Sequence, residues 1–173
     1  MPAARKDLYA FFDAHNIAYE TLEHAPIFTV AEGVDIKATI EGGHTKNLFL
    51  KDKAGRLFLI CAIGSTQIKM GRLHNVIGSK RLSFAKEELL YEHLGVRPGS
   101  VTLFSLINDP DHNVTLILDA ALLREARVNF HPMENTATTG ISTHDMLRFV
   151  KALGRERLIV DFSDIEHPAL KTL

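Results

Sequence analysis

A chain of 173 residues is long enough to bury a core of its own and fits one domain, residues 1–173. Its 46% apolar and 24% charged content is ordinary for a soluble globular protein. A net charge of −1 excludes a strongly cationic protein that coats nucleic acid indiscriminately, while leaving room for a local basic patch.

Leu8, Phe11 and Phe12 recur at helical spacing, with Asp7 and Asp13 on the other side, which predicts a first helix over Arg5 to His15. This N-terminal region lacks the uninterrupted apolar core of a signal peptide, and no run approaches membrane-spanning length, so a cytoplasmic protein without membrane contact is expected. Asn16 ends the helix, and Tyr19 to Glu23 reads as a short strand. His24, ahead of Pro26, reads as a turn residue. Thr29-Val30-Ala31-Glu32 has the form of a capping box, a hydroxyl at the cap and a carboxylate three residues on. A short second helix is therefore expected from Thr29, ending by Gly42.

Thr45 to Asp52 and Arg56 to Cys61 are apolar runs separated by Lys53-Ala54-Gly55, a hairpin signal in which glycine serves the turn. Cys61 is the only cysteine, so no intrachain disulfide or cysteine metal cluster can form, and its apolar neighbours predict a buried, inert thiol. Gln67 to Ile77 reads as a helix with Ile68, Leu73 and Val76 inward. Arg81 to Phe84 is a brief extended piece. Ala85 to Leu94 is a helix with acids in its first half and Gly95 as its C-terminal cap. Beyond the loop Val96 to Thr102, the expected elements are a strand at Leu103 to Ile107 and a turn at Asn108 to Asp111. A buried strand at Val114 to Leu118, a helical turn at Ala120 to Glu125 and a strand at Val128 to Phe130 follow. After the loop His131 to Asn135, Thr136 to Ile141 is a strand. Ser142-Thr143-His144-Asp145 is a second capping box, with Ile141 and Met146 placed for a hydrophobic staple, opening a helix that stops at Gly154. Arg157 to Asp161 is a last strand, and the tail beyond Ser163 is expected to be loose. Short strands with segregated helices argue for an α+β fold with a curved mixed sheet.

The stretch with the most chemistry runs from Glu41 to Leu50. Gly42 and Gly43 loosen the backbone, and the polar quartet His44-Thr45-Lys46-Asn47 then enters the apolar strand. A single lysine here is equally a solvated charge or a guard against edge pairing, so local chemistry alone makes Lys46 a candidate and no more. Nine histidines are scattered without an HExxH, a His-x-His pair or a cysteine partner, so no metal is expected. No dinucleotide fingerprint, phosphate-binding lysine loop or Gly-x-Ser-x-Gly elbow is present, so no cofactor is expected. Ser65 and Ser100 follow glycines as lone turn hydroxyls. Basic residues are not interleaved with aromatics as in RNA-recognition motifs.

Three separated stretches carry a resemblance: Gly43-His44-Thr45-Lys46-Asn47-Leu48-Phe49-Leu50, Gly95-Val96-Arg97-Pro98-Gly99-Ser100-Val101-Thr102, and Asn129-Phe130-His131-Pro132-Met133-Glu134-Asn135-Thr136-Ala137-Thr138-Thr139. Together they resemble the YbaK-like family, the free-standing relatives of the editing domain of bacterial prolyl-tRNA synthetase, nearest the trans-acting Ala-tRNA(Pro) deacylases. The resemblance implies a small mixed sheet, partly closed into a barrel and flanked by helices. The implied activity is hydrolysis of the ester between a wrong amino acid and the tRNA 3′-terminal ribose. The mischarged tRNA(Pro) acceptor end is then the partner, with prolyl-tRNA synthetase a second one; DNA is not expected to be one.

By the same resemblance Lys46 engages the end of the tRNA, where a compact ammonium suits a phosphate or ribose contact. Asn47, with Thr45 beside it, places the ester or the terminal nucleotide. Backbone amides at Gly99 and Ser100 stabilise the developing oxyanion. His131 bounds the amino-acid pocket or fixes the loop before Pro132. Phe28, Val30, Ile63 and Phe130 are candidate walls of that pocket and equally ordinary core residues. The family's Gly-x-x-x-Pro loop ends here in Leu103 rather than proline, which bears on loop rigidity and leaves Cys- or Ser-tRNA as alternative substrates. A non-catalytic nucleic-acid-binding module is the alternative from another class.

Overall fold

Helix α1 (Arg5–Ala14) starts where the Ala4 amide donates to the Asp7 carboxylate at 2.8 Å, and it buries Leu8 and Phe12 completely. Strand β1 (Glu20–Glu23) follows. The structure, a computed structural model, describes residues 1–26 and 40–172, so the helix expected from Thr29, with Phe28 and Val30, lies outside the described residues. The chain then enters the hairpin β2 (Gly43–Asp52) and β3 (Leu57–Ile63), followed by α2 (Met70–Ile77), β4 (Leu82–Phe84) and α3 (Glu87–Leu94). A 3-10 helix at Leu103–Asn108 precedes β5 (Val114–Asp119), and a second, Ala120–Arg124, precedes β6 (Arg127–Phe130). The remainder is β7 (Ala137–Ser142), α4 (Thr143–Ala152), β8 (Leu158–Asp161) and β9 (Ala169–Lys171). The second capping box is visible at α4: Ser142 Oγ accepts from the Asp145 amide at 3.0 Å, and Ile141 and Met146 are both buried.

The described strands form one mixed sheet in the order β1-β7-β6-β2-β3-β5-β8-β9, with β4 as an additional partner of β2. Strand β2 is the hub. It pairs antiparallel with β3 over Thr45 to Lys51, antiparallel with β4 over Leu50 to Asp52, and parallel with β6 at Gly43 and His44. Successive side chains of a strand point to opposite faces, and β2 and β3 thereby divide two cores. Phe49, Leu59 and Cys61 face the larger one, with Leu118, Phe130 and Ile141 from other strands and Leu8, Phe12 and Phe149 from helices. Leu50, Phe58, Ile60 and Ala62 face the smaller one, against Leu73 of α2. The larger core draws side chains from both halves of the sheet, so the sheet curves around it. Phe12, Phe104 and Phe149 meet edge to face at its centre, with ring centroids 5.2 to 5.8 Å apart.

Three expectations are corrected. Leu103–Asn108 is a 3-10 helix rather than a strand: Thr102 caps it through Oγ1, and Leu103 to Leu106 are all buried, so no alternation separates the two readings. Helix α2 begins at Met70, not Gln67, because the residues before it are held as a loop described below. The tail is not loose, since β9 pairs with β8 by its backbone while its side chains stay exposed and leave no pattern to read.

Asp52 locks the β2–β3 turn. Its Oδ1 accepts from the amides of Ala54 and Arg56 at 3.0 and 2.8 Å, and its Oδ2 from the Lys80 amide at 3.0 Å. Burial by itself raises the carboxyl's pKa, but the three amides together outweigh it and leave the pKa below its ordinary value. A depressed folded-state pKa contributes stability above the unfolded value, and that contribution is lost as pH falls through the folded one. Asp52→Ala is expected to lower urea-unfolding stability by about 1–3 kcal/mol at neutral pH, and the gap to the wild type should shrink as pH is taken below about 4.

Candidate active site

Consecutive residues of β2 cannot share a face, and the candidates are divided accordingly. Lys46 lies opposite Ala62, on the face of the smaller core; Asn47 lies opposite Cys61, on the face of the larger one. The half-buried Lys46 donates from Nζ to the Thr66 carbonyl, and no carboxylate of the described residues forms an ion pair with it. The Asn47 amide nitrogen donates to Thr45 Oγ1 at 3.3 Å, and Thr45 Oγ1 donates to the Asn129 carbonyl at 2.6 Å. Asn47 Oδ1 is buried and has no hydrogen-bond partner among the described residues.

The two faces communicate along an edge that the strands among the described residues leave unpaired. On the side of β2 away from β3, pairing with β6 stops at His44 and pairing with β4 starts at Leu50. Between them the Phe49 carbonyl is taken by the Ala85 amide at 3.0 Å. Beside this edge lies a cavity of about 210 Å³ lined by Asn47, Leu48, Phe49, Phe84, Pro98 and Gly99. Gly99 has φ +89°, and the Ser100 amide donates to the Arg97 carbonyl at 3.0 Å, which gives Arg97 to Ser100 the form of a type II turn. The Ser100 amide is therefore spent on the turn and is not an oxyanion donor in this conformation; the Gly99 amide is the one the turn does not use. A Cβ on Gly99 would stand 3.3 Å from Asn135 Nδ2, so this turn meets the His131 to Asn135 loop here. Leu103, fully buried, anchors the loop by packing at the position where the family has proline.

His131 donates from Nδ1 to the Ala137 carbonyl at 3.0 Å, and its ring centroid is 6.3 Å from that of His24. His24 in turn reaches Thr138 Oγ1 at 2.8 Å through Nε2. Two of the candidate walls are relocated. Phe130 is 2% exposed and packs edge-on against Phe104, centroids 5.1 Å apart, which makes it a core residue. Ile63 packs against the larger core, on the face opposite Lys46. A second cavity, of about 340 Å³, is lined by Glu20, Leu22, Arg127, Asn129, Thr138 and Gly140. Burial raises the Cys61 thiol well above its ordinary pKa, which removes it as a nucleophile. Among the described residues no three His, Cys, Asp or Glu side chains gather where they could hold a metal ion.

Comparison with known proteins places this arrangement. Residues 24–149 match the model of the aminoacyl-tRNA editing domain. This chain belongs to that family. It is 39% identical over 160 residues to prolyl-tRNA synthetase associated domain-containing protein 1 of Danio rerio, covering 91% of this chain and 87% of that one. It is 35% identical over 152 residues to the prolyl-tRNA editing protein ProX of Acetoanaerobium sticklandii, covering 87% and 93%. A crystal structure of a candidate trans-editing enzyme for prolyl-tRNA synthetase superposes with a TM-score of 0.68 at 17% identity, covering 100% of this chain and 99% of that one, and shares the fold.

The editing domain also uses residues that the sequence does not single out. Asp119, 1% exposed at the end of β5, accepts from Thr66 Oγ1 at 2.5 Å and from the Ile63 amide at 3.2 Å through Oδ2, and from the Ala121 amide at 2.9 Å through Oδ1. It thereby fixes the loop whose Thr66 carbonyl holds Lys46, and this pinned loop is why α2 starts late. No local motif links Asp119 to a residue 53 positions away. Asp119→Ala is expected to cost about 1–3 kcal/mol in urea unfolding, with Asp119→Asn costing less. Amide exchange at Ile63 and Ala121 should accelerate in the alanine variant, and unchanged exchange there would refute the clamp.

Proposed function

We propose that the protein is a cytoplasmic aminoacyl-tRNA deacylase acting in trans, which hydrolyses mischarged tRNA(Pro), with Ala-tRNA(Pro) as its substrate and prolyl-tRNA synthetase as the enzyme whose errors it corrects. The observation that carries this reading is Lys46: a half-buried ammonium held by one carbonyl and paired with no carboxylate of the described residues. A cation withdrawn from water without an opposite charge is costly, and the acceptor end of a tRNA supplies the missing partner as phosphate or as developing oxyanion. The names of the relatives, a prolyl-tRNA editing protein among them, support the choice of tRNA.

An aminoacyl ester is activated, so no nucleophilic side chain is needed. Water adds to the ester carbonyl carbon, the negative charge gathers on the carbonyl oxygen, and the bond to the ribose oxygen breaks as that oxygen takes up a proton. Free amino acid and tRNA result. The Gly99 amide is a donor for the oxyanion, an interaction worth roughly 3 kcal/mol, and the neighbouring ribose hydroxyl orients the water. Positioning by Lys46 and Asn47 supplies the rest. Selection by size is required because a synthetase pocket shaped for proline gains only about 1–3 kcal/mol against a substrate lacking methylenes. A second pocket that admits alanine and excludes proline removes the error.

The test is deacylation of Ala-, Pro-, Ser- and Cys-tRNA(Pro) by the wild type and Lys46→Ala. We expect rapid loss of alanine alone and at least a hundredfold lower rate in the variant, about 2.7 kcal/mol of transition-state stabilisation. Loss of serine or cysteine instead would move the substrate within the same class. Binding that falls steeply with salt, with no turnover of any ester, would replace the enzyme by a nucleic-acid-binding module.

A further inference from the structure

We infer that Phe84, backed by Leu48, is the stacking seat for the terminal base of the acceptor strand, and that Asn47 Oδ1 accepts a hydrogen bond from that nucleotide; this rests on the deacylase reading. Phe84 is 62% exposed, more than any other phenylalanine or tyrosine of the described residues. A lone exposed ring is ordinary on a surface, but this one borders a cavity together with Leu48, Phe49 and Pro98, so a ligand in the cavity meets its face. Its placement says which one. Phe84 lies directly opposite Leu50 in the β2–β4 ladder, so it stands on the face that Leu50, Leu48 and Lys46 share. Strand β4 ends there, and no strand among the described residues pairs with the edge of β2 from Phe84 toward Lys46. Leu48 and Lys46 are two residues apart, about 6.6 Å along the strand. A nucleotide whose base lies on Phe84 and Leu48 therefore reaches the ammonium with its ribose.

The polar groups around the cavity favour a base over an apolar side chain. Besides apolar side chains such as Phe84, Leu48, Phe49 and Pro98, the lining of the cavity includes Asn47 and Glu87, the latter 3.9 Å from Arg97 Nη1 through its carboxylate. Among the described residues Asn47 Oδ1 is a buried acceptor without a donor, and such an atom is destabilising until it is paired. Asn47 Oδ1 accepts a hydrogen, which suits an amino-bearing base such as adenine. Every base offers a π face to a ring, so stacking supplies affinity and the acceptor supplies preference.

The probe is an acceptor-stem minihelix ending in 2-aminopurine and joined to alanine through a 3′-amide that resists hydrolysis. Its fluorescence should be quenched on binding to the wild type, to Phe84→Tyr and to Lys46→Ala, but not to Phe84→Ala. In steady-state deacylation of alanyl-minihelix, Phe84→Ala should raise KM by about fivefold to a hundredfold, the range expected for one stacked base, and Phe84→Tyr should restore it. Replacing the terminal adenine by purine, which lacks the amino group, should raise KM for the wild type and leave that of Asn47→Ala unchanged. A wild type that deacylates while Phe84→Ala keeps both its KM and the quenching would overturn the seat and leave the deacylase standing. A wild type that neither deacylates nor quenches would overturn both.

Discussion

The site is governed by the alternation of one strand. Because β2 is pleated, Lys46 and Asn47 point to opposite faces however the rest of the chain folds. Both faces of β2 are covered further along, Phe49 by the larger core and Leu50 by the smaller, so a slip of one residue would drive each into the core shaped for the other and turn Lys46 to the face of the larger core. The register of the β2–β3 hairpin is therefore fixed by burial, and the chemistry of the quartet His44 to Asn47 follows from that register. An ester that meets both Lys46 and Asn47 has to lie across the edge of the strand. The pairing pattern leaves that edge open between β6 and β4.

Much of this was readable in the residues, for physical reasons. The β2–β3 hairpin carries its own turn chemistry, and Asp52, the last residue of the first run, supplies the lock. Helix α4 announces its start through Ser142 and its end through Gly154. The mixed sheet followed from short strands interspersed with helices, and the family from three motifs on β2, the Gly99 turn and the β6–β7 loop. What sequence could not supply is what depends on contacts between distant segments. A run buried on all sides, Leu103 to Leu106, has no period to read, and a strand such as β9 that contributes only its backbone has no pattern at all. Asp119 belongs to the same class, since a lone aspartate after an apolar strand gives no sign of the loop it holds.

The candidate site divides in the same way. Lys46, Asn47 and Gly99 lie at the positions the motifs suggest, beside one open edge. Of the side-chain walls, Ile63 and Phe130 pack into the larger core, because a motif specifies polar contacts and an apolar residue next to it is as readily core. Phe130 sits between His131 and Asn129 in sequence, yet the strand turns it inward against Phe104, while the amides and rings on either side serve the loop and the outer face. Ser100 shows a subtler failure: its amide is near the site in sequence but already committed to closing the Gly99 turn. Proximity in a motif predicts the loop, and only the hydrogen-bond accounting tells which donor is left over.

Two withdrawn cations show how the fold separates structure from function. Arg155 is 6% exposed and its charge is answered: through its two terminal nitrogens it pairs with the Asp109 carboxylate at 2.8 Å and donates to the carbonyls of Val114 and Asp109 at 2.6 Å. Removing one partner from such a pair leaves an uncompensated buried charge, a loss of about 3–5 kcal/mol, so the cluster pins the start of β5. Lys46 is half-buried and, among the described residues, answered by the dipole of the Thr66 carbonyl and by no carboxylate. A carboxylate lies one hydrogen bond farther on, in Asp119, but it holds the Thr66 hydroxyl instead of the ammonium. The arrangement keeps the lysine in place without neutralising it. A charge so placed is stabilised most when an anion arrives at the open edge of β2, which is where an ester passing through an oxyanion would present one.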